Sequence, residues 1–299
     1  MRKIKTFIRL LFKDRNRFWI SLGQKGYLNY TSDKWYLSRI YKEHIGEKLN
    51  LDNPITYNEK IQWIKLYDRK TEYIKRVDKY EVRNFVKDKI GEEYLIPIIG
   101  IYNSVEEIQW DKLPNKFVLK CTHSSHANII CLDKEKLDIE HSKKLLRGWM
   151  NNNLFWFGRE WAYKDVPPRI ICEEFMDNNG KEIDDFKVMC FNGEPRLIQH
   201  HQNRTENHTL DFYDKNWNKT TIAQGVPTSS NITHRPEKLN EMLDISRSLA
   251  ENTYFSRIDL YYINNKIYFG EITYYPTSGL TPFDNKKDDI LIGSWINLN

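Results

Sequence analysis

The sequence contains no run of the roughly 20 consecutive apolar residues that a membrane-spanning helix needs, which excludes an integral membrane protein. It also contains no low-complexity tract and no internal repeat, so a globular fold is expected. A Walker phosphate loop, a G-x-S-x-G elbow and the paired-carboxylate motif of glycoside hydrolysis are missing as well. The commonest catalytic signatures therefore give no assignment.

Cysteine is scarce. The four residues, Cys121, Cys131, Cys172 and Cys190, show no Cys-x-x-Cys spacing, and nothing resembling a cleavable signal sequence precedes them. This pattern predicts a reducing, cytoplasmic environment.

The basic charge is concentrated at the front of the chain. The net charge is +5, but residues 1–90 carry +11 and the remainder carries −6. Residues 1–23 predict a basic amphipathic helix that either lies on an anionic membrane surface, on the inner face of the membrane, or docks on its own domain. The slightly acidic remainder and the lack of a recognised binding motif argue against nucleic acid.

Periodicity predicts helices over residues 27–50, from Thr56, over 77–90, over 135–152 and over 236–252. Thr56 and Glu59 form a capping-box pattern. Strands are predicted around residues 95–102, 117–120, 129–132, 169–176, 184–191 and 196–201, and Asn-Gly and Asn-Asn-Gly turns predict that the last three form an antiparallel sheet. Residues 150–168 and 202–235 are predicted to be variable loops.

The stretch 256–279 predicts a β-hairpin that carries Asp259 and Glu271. If both acids face the same way, they form a site with Arg257 and Thr273 that suits Mg²⁺ bound to a nucleotide phosphate. A two-residue Asn264-Asn265 turn is expected to put the two carboxylates on opposite faces, whereas a three- or five-residue loop pairs them directly. A surface hairpin with scattered charge is the alternative.

A second group surrounds the polar loop 121–128. Lys120 ends a strand there, and the loop amides could form a nest for a phosphate. Cys121, His123, His126 and Cys131 leave zinc open as an alternative. Further along, an adenine could lie against the backbone of residues 173–176, with Asp185 on the ribose and Lys187 on a phosphate.

Taken together, these segments resemble the TupA-like branch of the ATP-grasp superfamily, which is associated with teichuronopeptide, capsule and other surface polysaccharide synthesis. The resemblance covers about residues 26–293. It is carried by the segments NPITYNEKIQWIKLYD, VDKYEVRNFV, LPNKFVLKCTHSSHANII, ICEEFM, DDFKVMCFNGEP and RIDLYYINNKIYFGEITYYPTSGL. It implies an α+β fold of two subdomains that clasp ATP: a helical N-terminal region (1–50), a preceding region (51–116), and an ATP-grasp domain (117–299) divided near residue 172.

The resemblance also implies roles for individual residues. Arg257, Lys120 and Lys187 would be the catalytic cations. The nucleotide-binding set would be Lys79, Lys120, His123, Ser125, Asn128, Glu173, Glu174, Met176, Asp185 and Lys187. Asp259, Glu271 and Thr273 would hold Mg²⁺, with two ions expected. The family loop reads close to HGSG, and here Ser124 and His126 replace both glycines, which restricts φ and crowds the phosphates.

The function implied is ATP-dependent ligation of a carboxylate to an amine through an acylphosphate. The expected carboxylate is a uronic acid of an acidic or lipid-linked surface glycan, and the amine is an amino acid or similar compound. A glycosyltransferase of the same pathway, an inactive scaffold and a membrane-associated adaptor remain the alternatives.

Overall fold

The computed structural model describes residues 15–178, 183–202, 207–231 and 233–299. Most of the basic helix predicted over residues 1–23 therefore lies outside the described residues. Within the described ranges the helices are α1 (Arg15–Gln24), α2 (Asp33–Ile45), α3 (Tyr57–Tyr67), α4 (Glu72–Val77), α5 (Val82–Ile90), α6 (Ile139–Met150), α7 (Phe155–Gly158), α8 (Leu239–Leu249) and α9 (Lys286–Ser294). Of the helices that these ranges contain, none is both long and apolar enough to cross a bilayer.

The strands in the same ranges are β1 (Ile98–Tyr102), β2 (Phe117–Cys121), β3 (Asn128–Cys131), β4 (Ile170–Glu174), β5 (Asp184–Phe191), β6 (Glu194–Gln202), β7 (Thr209–Asp214), β8 (Phe255–Ile263) and β9 (Lys266–Thr273). They form a four-stranded sheet in the order β1-β4-β2-β3 and a five-stranded sheet in the order β7-β6-β5-β8-β9. All of the strand pairs in both sheets are antiparallel.

The prediction that the three strands between residues 169 and 201 form one antiparallel sheet is wrong. β5 and β6 do form a hairpin, closed by Asn192 and Gly193 in left-handed conformations. β4, however, pairs with β1 and β2 in the other sheet. The hairpin signal alone could not show that β4 and β5 belong to different sheets, and most of the predicted Asn-Asn-Gly turn (178–180) lies outside the described residues.

Two further predictions need correction. Residues 209–214, expected within a variable loop, form the edge strand β7 and pair with β6. The helix expected over 77–90 is interrupted, because the Asp78 carboxylate accepts hydrogen bonds from the backbone N–H groups of Tyr80 and Glu81 at 2.8 and 3.3 Å and caps a new start. Lys79 consequently lies in a turn between α4 and α5.

The capping box at the start of α3 is confirmed: the Thr56 side chain accepts from the Glu59 N–H, and the Glu59 side chain accepts from the Thr56 N–H. The apolar side of α3, which includes Tyr57 and Ile61, belongs to the same hydrophobic core as Ile258 of the five-stranded sheet.

One face of the four-stranded sheet packs against α6, burying Phe117, Leu119 and Cys121 of β2 together with Leu146. Side chains alternate along a strand, so Lys120 points to the opposite face. The predicted domain limits at residues 50, 116 and 172 stay predictions, although β1, which precedes residue 116, pairs with β4 in this sheet.

Candidate functional site

The hairpin formed by β8 and β9 places the two predicted metal carboxylates side by side. Asn264 and Asn265, with φ of 49° and 60°, form a two-residue turn that pairs Ile263 with Lys266. Our expectation that such a turn separates the two carboxylates onto opposite faces is wrong, because Asp259 pairs directly with Glu271. Directly paired residues share a face of the sheet.

A β-bulge at Gly270 explains this outcome. Leu260 pairs with Phe269 and Asp259 pairs with Glu271, so Gly270 is the extra residue on β9. A Cβ atom at position 270 would lie 3.0 Å from the Asp259 carbonyl oxygen and 3.2 Å from the Tyr261 ring. The bulge shifts the alternation of β9 by one residue and thereby brings Glu271 to the face that Asp259 occupies.

Replacing Gly270 with alanine is expected to lower the free energy of unfolding by about 1–3 kcal/mol, because the added methyl group is forced against backbone. Chemical denaturation measures this change. Gly148→Ala in α6 is the matched control, since nothing lies within 4 Å of its Cβ position; it should be neutral or stabilise by about 0.5–1 kcal/mol. Equal effects of the two substitutions would contradict a specific requirement for glycine at the bulge.

Around Asp259, β5 and β8 assemble a buried network of opposite charges. Asp259 is 2% exposed and pairs across the sheet with Lys187, whose ammonium contacts its carboxylate. The same Lys187 Nζ lies 3.2 Å from Asp185 Oδ2. Arg257 donates two hydrogen bonds to Asp259, at 2.7 and 2.8 Å, and its Nη2 lies 3.3 Å from Thr273 Oγ1. The network therefore fixes the orientation of the Asp259 carboxylate.

Lys79 contacts the second carboxylate of the pair, Glu271. Its Nζ donates to the Ser124 carbonyl oxygen at 2.7 Å and lies 3.5 Å from Glu271 Oε2. Burial acts to raise the pKa of Glu271, but Lys79, Lys187 and the other surrounding cations outweigh it and lower that pKa to about 2. Glu271 is therefore ionised at neutral pH.

The four-stranded sheet contributes Lys120 and Glu173, which form an ion pair at 2.6 Å. Arg83 lies 3.7 Å from the same carboxylate. Glu174, the next residue of β4, is exposed, and Met176 lies beyond the strand end and is partly buried. Of the predicted nucleotide residues on this segment, Glu173 thus joins the charged cluster and Glu174 faces away from it.

The loop 121–128 lies beside Lys79. Its first histidine, His123, is 4% exposed and its Nε2 is 3.2 Å from the Trp149 carbonyl oxygen, so it ties the loop to the end of α6. Burial lowers the pKa of His123. Ser125 and Asn128 are exposed. His126 has a φ of 57°, which is the left-handed conformation that glycine adopts most easily.

Zinc binding by this loop is excluded by the strand register. Cys131 pairs with Phe117, whereas Cys121 lies four residues further along β2, roughly 13 Å away at the usual rise per residue. The four predicted ligands cannot converge on one ion. The part of the chain that the structure describes contains no group of three or more His, Cys, Asp or Glu side chains placed to hold a metal.

Sequence reasoning missed two cations. Arg83 contacts Glu173, as described above, and Arg169 binds Asp78 at 2.7 Å and Glu81 at 2.9 Å, which supports the turn that carries Lys79. The helix predicted over residues 77–90 offered one signal for Arg83, because residues four apart share a helix face, although the structure places Lys79 in the turn before α5. Arg169 offered no such signal.

The donor set fits a magnesium nucleotide. Two carboxylates and a hydroxyl on neighbouring positions of the hairpin are the hard oxygen ligands that Mg²⁺ prefers, and the surrounding cations suit a polyphosphate. The cluster includes groups of both sheets, because Lys120 of β2 is among the cations that lower the pKa of Glu271 on β9, and Lys79 joins the loop after β2 to the same carboxylate.

Two antiparallel sheets with helices define an α+β protein, and the charged cluster lies where the two sheets meet. The TupA-like ATP-grasp family model matches residues 59–297, which is most of the chain. The chain therefore belongs to the TupA-like ATP-grasp family, and the predicted ATP-grasp fold is confirmed.

Solved structures with similar folds include N5-carboxyaminoimidazole synthetase from Staphylococcus aureus (12% identity, TM-score 0.40, covering 67% of this chain and 44% of that one). D-alanine–D-alanine ligase from Bacillus anthracis, complexed with ATP, shows 12% identity and a TM-score of 0.38, covering 72% of this chain and 55% of that one. The same type of ligase from Helicobacter pylori shows 13% identity and a TM-score of 0.42, covering 80% and 68%. The chain thus spans about half of the first two proteins. No curated protein matches it.

Proposed function

We propose that this protein is an ADP-forming, ATP-dependent carboxylate–amine ligase. The observation that carries the proposal is the paired Asp259 and Glu271 on β8 and β9, which are contacted by Arg257 of β8, Lys187 of β5 and Lys79 of the turn before α5. Membership of the TupA-like ATP-grasp family supports it.

The proposed reaction has two steps. A carboxylate oxygen of the substrate attacks the γ-phosphorus of ATP, and the bond to the bridging oxygen of ADP breaks. The amine nitrogen then attacks the acyl carbon, phosphate leaves, and the nitrogen loses a proton to give the amide. Neither step needs a covalent protein intermediate, so the contribution of the protein is positioning and charge compensation.

The cations of the cluster carry out that compensation. Lys79, Lys120 and Lys187 would hold phosphate oxygens, and Arg257 would stabilise charge on the transferring phosphoryl group. Asp259, Glu271 and Thr273 would hold Mg²⁺, which supplies a further positive charge at the phosphates when bound. The hydrogen bonds from Arg257 to Asp259 keep both side chains oriented before the nucleotide arrives.

For the acceptor we propose a uronic acid of an acidic cell-surface glycan, free or lipid-linked, and for the nucleophile an amino acid or related amine. The family context and the charge of +11 over residues 1–90 support an acidic partner. Such a reaction would use cytoplasmic ATP, which agrees with the reducing compartment that the cysteines predict.

A binding-only protein is the second candidate, and the loop 121–128 favours it. A histidine occupies a left-handed backbone position where the family pattern has glycine, at a cost of about 1 kcal/mol or more, and its side chain adds bulk beside the expected phosphate position. Ser124 replaces the other glycine but has no left-handed φ among the described residues.

His126→Gly is therefore expected to tighten Mg·ATP binding severalfold, because it relaxes the backbone and clears the loop. Isothermal calorimetry measures the change. Ser124→Gly is the matched comparison: it adds backbone freedom without relieving a left-handed residue, so binding should be unchanged or weaker. Equal affinities for wild type and His126→Gly would show that the histidine does not crowd the nucleotide.

The test of the proposed function joins binding and turnover. Mg·ATP binding is measured by calorimetry, and ADP release is then followed with glucuronic or galacturonic acid and a panel of amino acids. ADP release that requires both a uronic acid and an amine, with an amide product by mass spectrometry, supports the ligase. Binding without turnover under any pairing supports the binding-only protein, and failure to bind Mg·ATP contradicts both.

A further inference from the structure

The connection between α1 and α2 exposes large aromatic side chains. Tyr27 is 71% exposed, Tyr30 is 102% exposed, and Trp35 in the first turn of α2 is 47% exposed. Three large aromatic side chains thus expose about half or more of their surface within nine residues of each other. We call this region, residues 25–42, the aromatic tip.

The aromatic tip is an ordered structure. The Tyr27 N–H donates to the Leu22 carbonyl oxygen at 3.1 Å, and the Thr31 hydroxyl donates to the Leu28 carbonyl oxygen at 2.8 Å. The same Leu28 oxygen accepts from Arg159 Nη2 at 2.7 Å, which anchors the connection to the body of the protein. The tyrosines are therefore held outward by the path of the backbone.

The charge that faces solvent in this region is positive. Lys25, Lys34 and Lys42 are exposed. The neighbouring acids are bound by cations: Asp33 lies 2.6 Å from Arg69, and Glu43 lies 2.8 Å from Arg39. The exposed surface thus combines aromatic rings with lysine ammonium groups, while Asp33 and Glu43 form ion pairs with arginines instead.

We propose that the aromatic tip docks the protein onto an anionic membrane surface. Tyrosine and tryptophan partition to the boundary between headgroups and acyl chains, and each lysine near an anionic surface adds attraction. A surface partner is favoured over a small-molecule ligand, because small-molecule sites are concave and enclose most of the ligand, whereas Tyr30 is fully exposed.

This docking surface is distinct from the predicted membrane helix. It lies in described residues that follow residue 23, and it uses aromatic contacts in addition to charge. The seven basic residues among the first 17 would add attraction to the same membrane. The proposal does not rest on the ligase function, since binding to a vesicle requires neither ATP nor a substrate.

The test is co-sedimentation of the full chain with two kinds of vesicle. One is pure phosphatidylcholine, and the other contains roughly 30% phosphatidylglycerol as the anionic lipid. The wild type should bind the anionic vesicles, and Tyr27→Ser/Tyr30→Ser/Trp35→Ser should bind them about tenfold more weakly or worse. Lys25→Gln/Lys34→Gln/Lys42→Gln should lower the affinity and weaken its salt dependence, while the basic residues among the first 17 keep part of both.

The matched control replaces three apolar residues elsewhere that are 40–51% exposed, Ile55→Ser/Ile290→Ser/Leu291→Ser, and should bind like the wild type. Thermal unfolding and Mg·ATP affinity, compared across all variants, show whether each remains folded. As a second readout, lipid-borne quenchers should reduce tryptophan fluorescence in the wild type and less in Trp35→Phe.

Three results would overturn the proposal. The first is unchanged vesicle binding by the aromatic variant, and the second is equal loss in the control variant. The third is binding to a soluble acidic polysaccharide that requires the same aromatic residues while vesicles are ignored, which would assign the aromatic tip to the acceptor glycan instead.

Discussion

Asp259→Asn is expected to reduce the rate of ATP-dependent ligation by on the order of 10³-fold, the loss typical when a central electrostatic element of an active site is removed. Asp259 is 2% exposed and is held by Lys187 and by two hydrogen bonds from Arg257. An asparagine has nearly the same shape but no charge, so it would weaken Mg²⁺ binding and remove the buried negative charge that Lys187 and Arg257 share.

The rate is measured as ADP release under saturating substrates, alongside Mg·ATP affinity. Asp244→Asn is the control, because Asp244 lies on the outer surface of α8 with its side chain 77% exposed, bound only to a partly exposed Arg247. It should leave the rate unchanged. A ligation rate within a few fold of the wild type in Asp259→Asn would remove this carboxylate from the proposed chemistry.

Lys65→Met is expected to lower the free energy of unfolding by about 3–5 kcal/mol, because it removes a buried cation that satisfies buried oxygen atoms and balances the buried carboxyl of Glu160. Lys65 is fully buried in α3, and its Nζ donates to Gln62 Oε1, the Ser278 carbonyl oxygen and Ser278 Oγ at 3.0, 2.7 and 2.8 Å. Glu160 supplies the opposing buried charge. Burial lowers the pKa of Lys65 and raises that of Glu160.

These contacts fix a strained segment close to the site. Thr277 and Ser278 adopt left-handed conformations with φ of 47° and 59°, four to five residues after Thr273. Such conformations persist only where surrounding contacts enforce them. Lys65→Met should therefore loosen the chain that leaves β9, and it should lower activity as well as stability.

Chemical denaturation of the single variants and of Lys65→Met/Glu160→Gln separates the pair from its surroundings. The double variant should recover part of the loss, because no unpaired buried charge remains. Lys87→Met serves as the control, since Lys87 is an exposed lysine paired with Glu92 and should change stability by less than about 1 kcal/mol. A loss of similar size at Lys87 would argue against the buried pair.

Local rules predicted several parts of this fold well. The capping box at Thr56 marks the start of α3, and the Asn-Gly turn marks the β5–β6 hairpin. Both signals are contained in four or five consecutive residues, so no distant contact can overrule them easily. The alternation in residues 256–273 likewise identified β8 and β9.

Other parts depended on contacts between distant residues. The assignment of β4 and β5 to different sheets follows from the pairing of β4 with β1 and β2, which local turn residues do not encode. Residues 209–214 form the edge strand β7 by pairing with β6. The interruption before α5 depends on Asp78, whose carboxylate also binds the distant Arg169.

The sequence by itself selected Asp259, Glu271 and Lys187 as candidates for the site, through the ATP-grasp resemblance and the alternation of the strands that carry them. Only the tertiary structure decided that they converge. The register of the hairpin depends on a bulge at Gly270, and Lys79 reaches Glu271 from a turn far away in the chain. Strand alternation is a local property with a period of two, whereas a bulge and a contact between sheets are set by packing, which no short window of sequence contains.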